Sequence, residues 1–237
     1  MAARPEGDRL DRDKIVKAAL QLLDEVGLDK LSTRTLADWL GVKSPALYWH
    51  FKSKSALVDA MAEAMLRDAC WPDPPVPGDD AAVWLADRGR AFRRALLAHR
   101  DGARVHAGTR PSPAQLSTIN TQVAALTAAG FTPTDAARAT LAVSRYTIGW
   151  VLEEQARAER PPTTDTAKPA RRAARADTAR TASTADDLED FPDLAAALDV
   201  LEQRDPDTDF DFGLTALTAG LSAAAQATKR PSPEKLP

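Results

Sequence analysis

The chain has 237 residues, 44% hydrophobic and 27% charged, which suffices for one large helical body with a small attached module, or for two modest domains, and is too apolar for a disordered chain. No run approaches the ~18 apolar residues of a membrane span, and the opening MAARPEGDRLDRDK has no apolar stretch of the signal-peptide kind, so a cytoplasmic protein without membrane contact is expected. The one cysteine, Cys70, excludes an internal disulfide and a cysteine-rich zinc site.

The net charge of −3 hides an uneven distribution. Lys30, Arg34, Lys43, Lys52 and Lys54 face one acid, Asp38, in a segment that can approach phosphates. From Asp186 to Asp211 eleven acids meet one base, Arg204, which reads as a solvated face turned away from nucleic acid.

In chain order, Ile15, Ala18, Ala19, Leu22, Leu23 and Val26 form a helical stripe that Gly27 ends. Ser32 caps a second helix carrying Leu36, Ala37 and Leu40, stopped by Gly41. Ser44 is expected to cap a short third helix, with Pro45 at its first position, running through His50. Ser53 caps a fourth, with Leu57, Val58, Met61, Met65 and Leu66, reaching about Ala69. The Pro-rich stretch Trp71 to Gly78 reads as a hinge.

Further stripes follow at Trp84 to Leu96 and at Leu116 to Leu126. A long helix opens at Thr132–Pro133 and runs to about Ala158. Residues 160–187, rich in Pro, Thr, Ala and Arg, are expected to be a mobile loop. Two last helices are placed at Leu188 to Gln203 and Phe212 to Thr228, and no strand pattern is sustained. The reading is an all-α protein: a three-helix N-terminal part (1–52), a connecting helix and hinge (53–78), and a larger helical C-terminal part (79–237).

Two short helices joined by a tight glycine turn fit the helix-turn-helix plan, whose second helix enters the major groove. Ser44 and Ala46 stand where small side chains reach base edges, while Arg34, Tyr48, His50 and Lys54 can reach phosphates. Tyr48, Trp49 and Phe51 also suit the core of a three-helix domain.

The stretch LSTRTLADWLGVKSPALYWHFKSKSALVDAM resembles the DNA-binding domain of the TetR family of transcriptional regulators. FRRALLAHRDGARVHAGTRP and AVSRYTIGWVLEEQ are similar to the ligand-binding part of its tetracycline-repressor subgroup. The resemblance implies that residues 1–52 bind DNA and residues 79–237 bind ligand and dimerise, in a homodimeric repressor of a palindromic operator, released by a small-molecule inducer that is planar, oxygen-rich and polyketide-like or antibiotic-like. It puts Arg34, Ser44, Pro45, Ala46, Tyr48, Trp49, His50 and Lys54 at DNA contacts. It puts Cys70, Arg88, Phe92, His106, Thr109, Arg110, Pro111, Gln122 and Glu153 around the ligand.

No cofactor is obligatory, but the resemblance implies Mg²⁺ carried with the ligand, bound by His106 and, through water, by Glu153 of the other subunit. Ser44 and Ala46 depart from the subgroup's Gln and Thr, which implies a different operator sequence. Cys70 and Arg88 replace a His and an Asn, which implies a different, anionic ligand, unless Arg88 turns away to pair with an acid such as Asp87. Rival readings are a regulator without ligand sensing and, least favoured, an enzyme using Cys70 with His99 or His106, or His106 with Glu153.

Overall fold

A computed structural model describes residues 10–159, 190–202 and 205–228; the loop expected at 160–187 lies outside these residues. Every regular element among them is a helix: α1 (Arg12–Val26), α2 (Thr33–Trp39), α3 (Ser44–Tyr48), α4 (Lys54–Arg67), α5 (Ala81–Leu97), α6 (Gly102–His106), α7 (Pro113–Ala128), α8 (Pro133–Ala158), α9 (Pro192–Glu202) and α10 (Pro206–Thr228). No described helix is long and apolar enough to cross a membrane.

Local chemistry sets most boundaries. Gly27 ends α1 with φ 78°, a conformation that costs a residue with a Cβ. Ser32 and Thr35 form a reciprocal capping box at α2, and the side chains of Ser53 and Thr132 accept backbone N–H groups at the starts of α4 and α8.

Several expectations are corrected. Lys43, not Ser44, is the N-cap of α3 and makes no side-chain cap, because the helix starts at Ser44 itself; it also ends at Tyr48, short of His50. Helix α4 stops at Arg67, and α10 begins at Pro206, where burial of Phe210 and Leu214 extends the apolar stripe beyond Phe212. The five residues of α6 carry no periodic signal and were not anticipated.

Two apolar clusters organise the body. The first joins Ile15, Leu23, Leu36, Leu47 and Met61 of α1–α4 to Phe92, Leu96, Val105 and Val151 of α5, α6 and α8. The N-terminal module therefore shares a continuous core with the body, and the boundary at 52/53 falls within that core. The second cluster packs Trp84 and Leu85 of α5 against Val143 of α8 and Phe210 and Leu214 of α10. Here the acidic stretch is not simply solvated: Arg93 Nη1 donates to Asp207 (2.5 Å) and Arg90 Nε to Asp211 (2.8 Å), while Arg93 also holds Glu154 of α8 (2.8 Å).

A polar clasp reinforces the junction of module and body. Asp101, buried and at φ 56°, accepts the Leu28 N–H at 2.7 Å; Arg104 donates to Asp101 at 2.8 Å and to Asp29 at 2.6 Å. Gln155 of α8 closes the other side, donating to the His99 carbonyl at 2.9 Å. At Gly102 the packing is so close that a Cβ would lie 2.0 Å from the Leu96 carbonyl oxygen. Gly102→Ala should therefore lower the unfolding free energy by about 1–3 kcal/mol or more, as overpacking against backbone does, while Gly108→Ala, which meets nothing within 4 Å, should lose only the strain of its positive φ; urea unfolding of the two variants checks the order.

Candidate DNA-binding face and ligand site

Helices α2 and α3 present an outer face in which large aromatics are exposed against the usual rule. Trp49 is 82% exposed and Tyr48 50%, whereas Phe51 is buried with Leu47 in the module's core. Of the three aromatics that also suited a core, Phe51 alone is core. Exposed rings beside a surface rich in bases suit a nucleic-acid contact.

Arg34, Pro45 and Lys54 are exposed on the same module; Ser44, Ala46 and His50 are half-buried. Arg12 reaches over from α1, donating to the His50 carbonyl at 3.1 Å and lying 4.2 Å from the centre of the Phe51 ring, so the end of α3 is fastened to α1. Trp39, 51% exposed on α2, belongs to the same surface and was missed by sequence reasoning. Nothing in a lone Trp on a short helix separates it from a core residue.

The second group of residues is partly buried, where α5 meets α6 and the Pro-rich connector. Phe92 of α5 meets the His106 imidazole edge-on at 5.0 Å between ring centres and Trp71 at 6.1 Å. Arg88, one turn before Phe92, lies with its guanidinium 4.5 Å from the centre of the Trp71 ring and 5.9 Å from that of Trp84. Arg88, Trp71, Phe92 and His106 thus form one continuous row.

Trp71 is held in place through its indole N–H, which donates to the Leu66 carbonyl at 2.8 Å; Trp84 likewise donates to Asp73 at 2.6 Å. These bonds tie the Pro-rich connector to the body, so the segment read as a hinge supplies a wall of the site. The sequence signal was an aromatic in a proline-rich stretch, which does not distinguish anchor from linker.

Burial pushes the His106 imidazole below its ordinary range, and its Nδ1 is buried without a hydrogen-bond partner. Gln122 of α7 is 5% exposed, and its Oε1 is likewise buried and unpartnered. Burial also pushes Arg88 down to about 10, which leaves it a cation at neutral pH. The pairing of Arg88 with Asp87 does not occur: Asp87 receives Arg90 at 2.9 Å.

The other expected ligand residues are placed differently. Thr109 follows α6 and donates to the His106 carbonyl at 2.8 Å, while Arg110 and Pro111 are exposed in the turn before α7. Glu153 is exposed on α8, and among the described residues no hydrogen bond or ion pair joins it to Arg88, Phe92 or His106. Cys70 is exposed and lines a separate cleft of about 240 Å³ with Arg94 and His99. The structure therefore gathers Arg88, Phe92 and His106, and leaves Cys70 apart from their row.

The model for the tetracyclin repressor-like C-terminal domain matches residues 74–225, and that for bacterial regulatory proteins of the tetR family matches residues 15–61. The chain belongs to the TetR family. Tetracycline repressor class A from transposon 1721 of Escherichia coli is 42% identical over 218 residues, covering 90% of this chain and 91% of that protein. TetR class A in complex with 5a,6-anhydrotetracycline and magnesium is 39% identical, with a TM-score of 0.64 over 90% of this chain and 99% of the other. ActR of Streptomyces coelicolor in complex with actinorhodin is 28% identical, with a TM-score of 0.71 over 92% and 99%.

TetR regulators are transcription factors, and the geometry of this one lends no support to the enzymatic pairs. His99 Nδ1 lies 3.0 Å from the Asp24 carboxylate, and among the described residues no hydrogen bond joins it to Cys70. Among those residues, too, no three His, Cys, Asp or Glu side chains converge as a metal site.

Two outcomes follow from these placements. An unfolded histidine takes up its proton near pH ~6.5, whereas buried His106 resists it, so the unfolded chain binds more protons in that range and stability falls as pH drops below ~6.5. The decline levels off once the folded imidazole also protonates. Denaturant unfolding between pH 5 and 7.5 should show a shallower decline for His106→Gln than for the unmodified chain; parallel curves would contradict the assignment. On the outer face, Lys54→Ala should weaken binding to all duplexes alike and reduce the slope of log affinity against log salt by about one, whereas Ala46→Thr should change which half-site is preferred.

Proposed function

We propose that this TetR-family regulator represses transcription as a homodimer on a palindromic operator and releases it when a small molecule occupies the row from Arg88 to His106. The observation that carries the reading is the sharing of one apolar core by the DNA-binding module and the wall of that row: Phe92 and Val105 pack in the same cluster as Leu36 and Leu47. A ligand that displaces Phe92 or His106 acts on the packing that positions α3. Such a switch requires the ligand to bind the DNA-free arrangement more tightly, by the same factor that it weakens operator binding.

The dimer reading rests on unpartnered helix faces. Leu141, Arg145, Gly149 and Glu153 form an exposed stripe on α8, and Phe212, Ala216, Ala219, Gly220 and Ala223 one on α10. A Cβ added at Gly149 or Gly220 meets nothing within 4 Å, so both glycines leave room for a second subunit's helix rather than for their own fold. The exposure of Glu153 on this stripe supports a carboxylate supplied across the dimer. Two recognition helices related by a twofold axis read enough bases for useful specificity.

The row also fits Mg²⁺ carried with the ligand. His106 offers a neutral, unpartnered ring nitrogen, and with no further cluster of ligating side chains among the described residues the ion needs oxygens from the ligand. His106, and Glu153 of a second subunit through water, would hold the ion, which would supply a divalent positive charge to an oxygen-rich ligand. Kinship with the TetR family supports regulation rather than catalysis.

Mobility-shift experiments on the DNA upstream of the chain's own gene test the reading, with 5a,6-anhydrotetracycline plus magnesium and actinorhodin as probes. A shift relieved by a planar polycyclic ligand is expected; a shift that persists at saturating occupancy of the site would contradict ligand release and favour a regulator without sensing. Gly149→Leu or Gly220→Leu should yield monomers in sedimentation at micromolar concentration with helix content retained, whereas an unmodified chain that sediments as a monomer would refute the dimer.

A further inference from the structure

Arg88 differs from Arg90, Arg93 and Arg104, which are paired, and from Arg94, which is exposed to solvent. On α5, Arg90 and Arg93 are each held by two carboxylates, and Arg104 of α6 is held by Asp29 and Asp101. Arg88 is half-buried, forms no ion pair among the described residues, and rests on aromatic faces. Its spacing from Trp84 and Phe92, four residues each way on α5, sets all three on one helical face. Trp71 then lies between the guanidinium and Phe92, and Phe92 meets His106 at 5.0 Å. A partly desolvated cation with its donors free is a receptor for an anion, and a guanidinium favours planar oxyanions because its parallel N–H groups match them.

We propose that Arg88 receives a carboxylate or ionised phenol of a flat, fused-ring aromatic ligand, whose rings lie against Trp71 and Phe92 and whose opposite end lies at His106. This deepens the ligand-site reading above and rests on it. The charge on Arg88 selects acids over amides of the same shape, because an amide offers it a single neutral acceptor and leaves the buried cation uncompensated. The aromatic contacts supply affinity without selecting charge, so the two contributions separate experimentally.

The test uses the full chain and a matched pair of probes, anthraquinone-2-carboxylate and anthraquinone-2-carboxamide, with chelator present so that metal plays no part. Binding is read from quenching of tryptophan fluorescence. The carboxylate is expected to bind at least about tenfold more tightly than the amide, about 1.4 kcal/mol. Arg88→Gln, which keeps a polar side chain of similar reach, should bring the two affinities together, and Arg88→Lys should restore part of the preference.

A role confined to packing would lower the melting temperature of Arg88→Gln and leave the acid-to-amide ratio unchanged, which overturns the proposal. Equal affinities in the unmodified chain, or no binding of either probe at millimolar concentration, overturn it as well. Operator binding by the unmodified chain without probe is measured alongside; its loss would count against the regulatory reading, whereas intact operator binding with no acid preference would count against Arg88 alone.

Discussion

The structure depends on one buried carboxylate. Asp101 adopts a left-handed backbone conformation that a non-glycine residue seldom takes, and its side chain accepts both the Leu28 N–H and the Arg104 guanidinium. With that bond, the turn after α1 is fixed to the start of α6, and Arg104 extends the attachment to Asp29. Removal of either partner would leave a buried polar group unsatisfied, at a cost of about 1–3 kcal/mol. The clasp sits five residues before His106, so the element that fastens the DNA-binding module is also the element that ends in the ligand site. In the proposed reading, position of the module and occupancy of the site are linked through α6.

The apolar packing gives that link stiffness. Phe92, Leu96, Val105 and Val151 share a cluster with Ile15, Leu36 and Leu47, and densely packed cores move between discrete arrangements rather than deforming smoothly. The second cluster, around Phe210 and Leu214, is knit to α5 by Arg90 and Arg93 and presents the stripes of α8 and α10 that suit a second subunit. The chain thus has two packed ends: one where the N-terminal module meets Phe92 and Val105, and one where α10 packs on α5 and α8. Arg88 lies between them on α5, cationic and resting on tryptophan rather than carboxylate.

Much of the fold was legible because its signals are local. The stripe of α1, the caps at Ser32, Ser53 and Thr132, and Pro133 at the start of α8 act within a turn or two of themselves. Helix α6 was not legible: it is one short turn whose start depends on Asp101 bonding to residue 28, a contact far away in sequence. The early start of α10 was hidden for a similar reason, since Phe210 becomes core only against Tyr146 and Trp150. Of the ligand row, Arg88, Phe92 and His106 were singled out through family resemblance. Trp71 was not, because proline-rich context reads as linker until its N–H is seen bonded to Leu66. Cys70 had the reverse fate, nominated by position and then found exposed beside another cleft.

Coupling between the two sites implies that operator DNA alters the ligand row even with no ligand present. The direct measurement is ¹⁹F NMR of the chain carrying 5-fluorotryptophan, with Trp49 and Trp71 assigned from Trp49→Phe and Trp71→Phe variants. On addition of operator duplex the Trp49 resonance should move through contact with DNA, and the Trp71 resonance should move with it through α6 and Phe92. A Trp71 resonance that stays in place while Trp49 shifts would show that the DNA-binding face and the ligand row are independent, and would contradict the account.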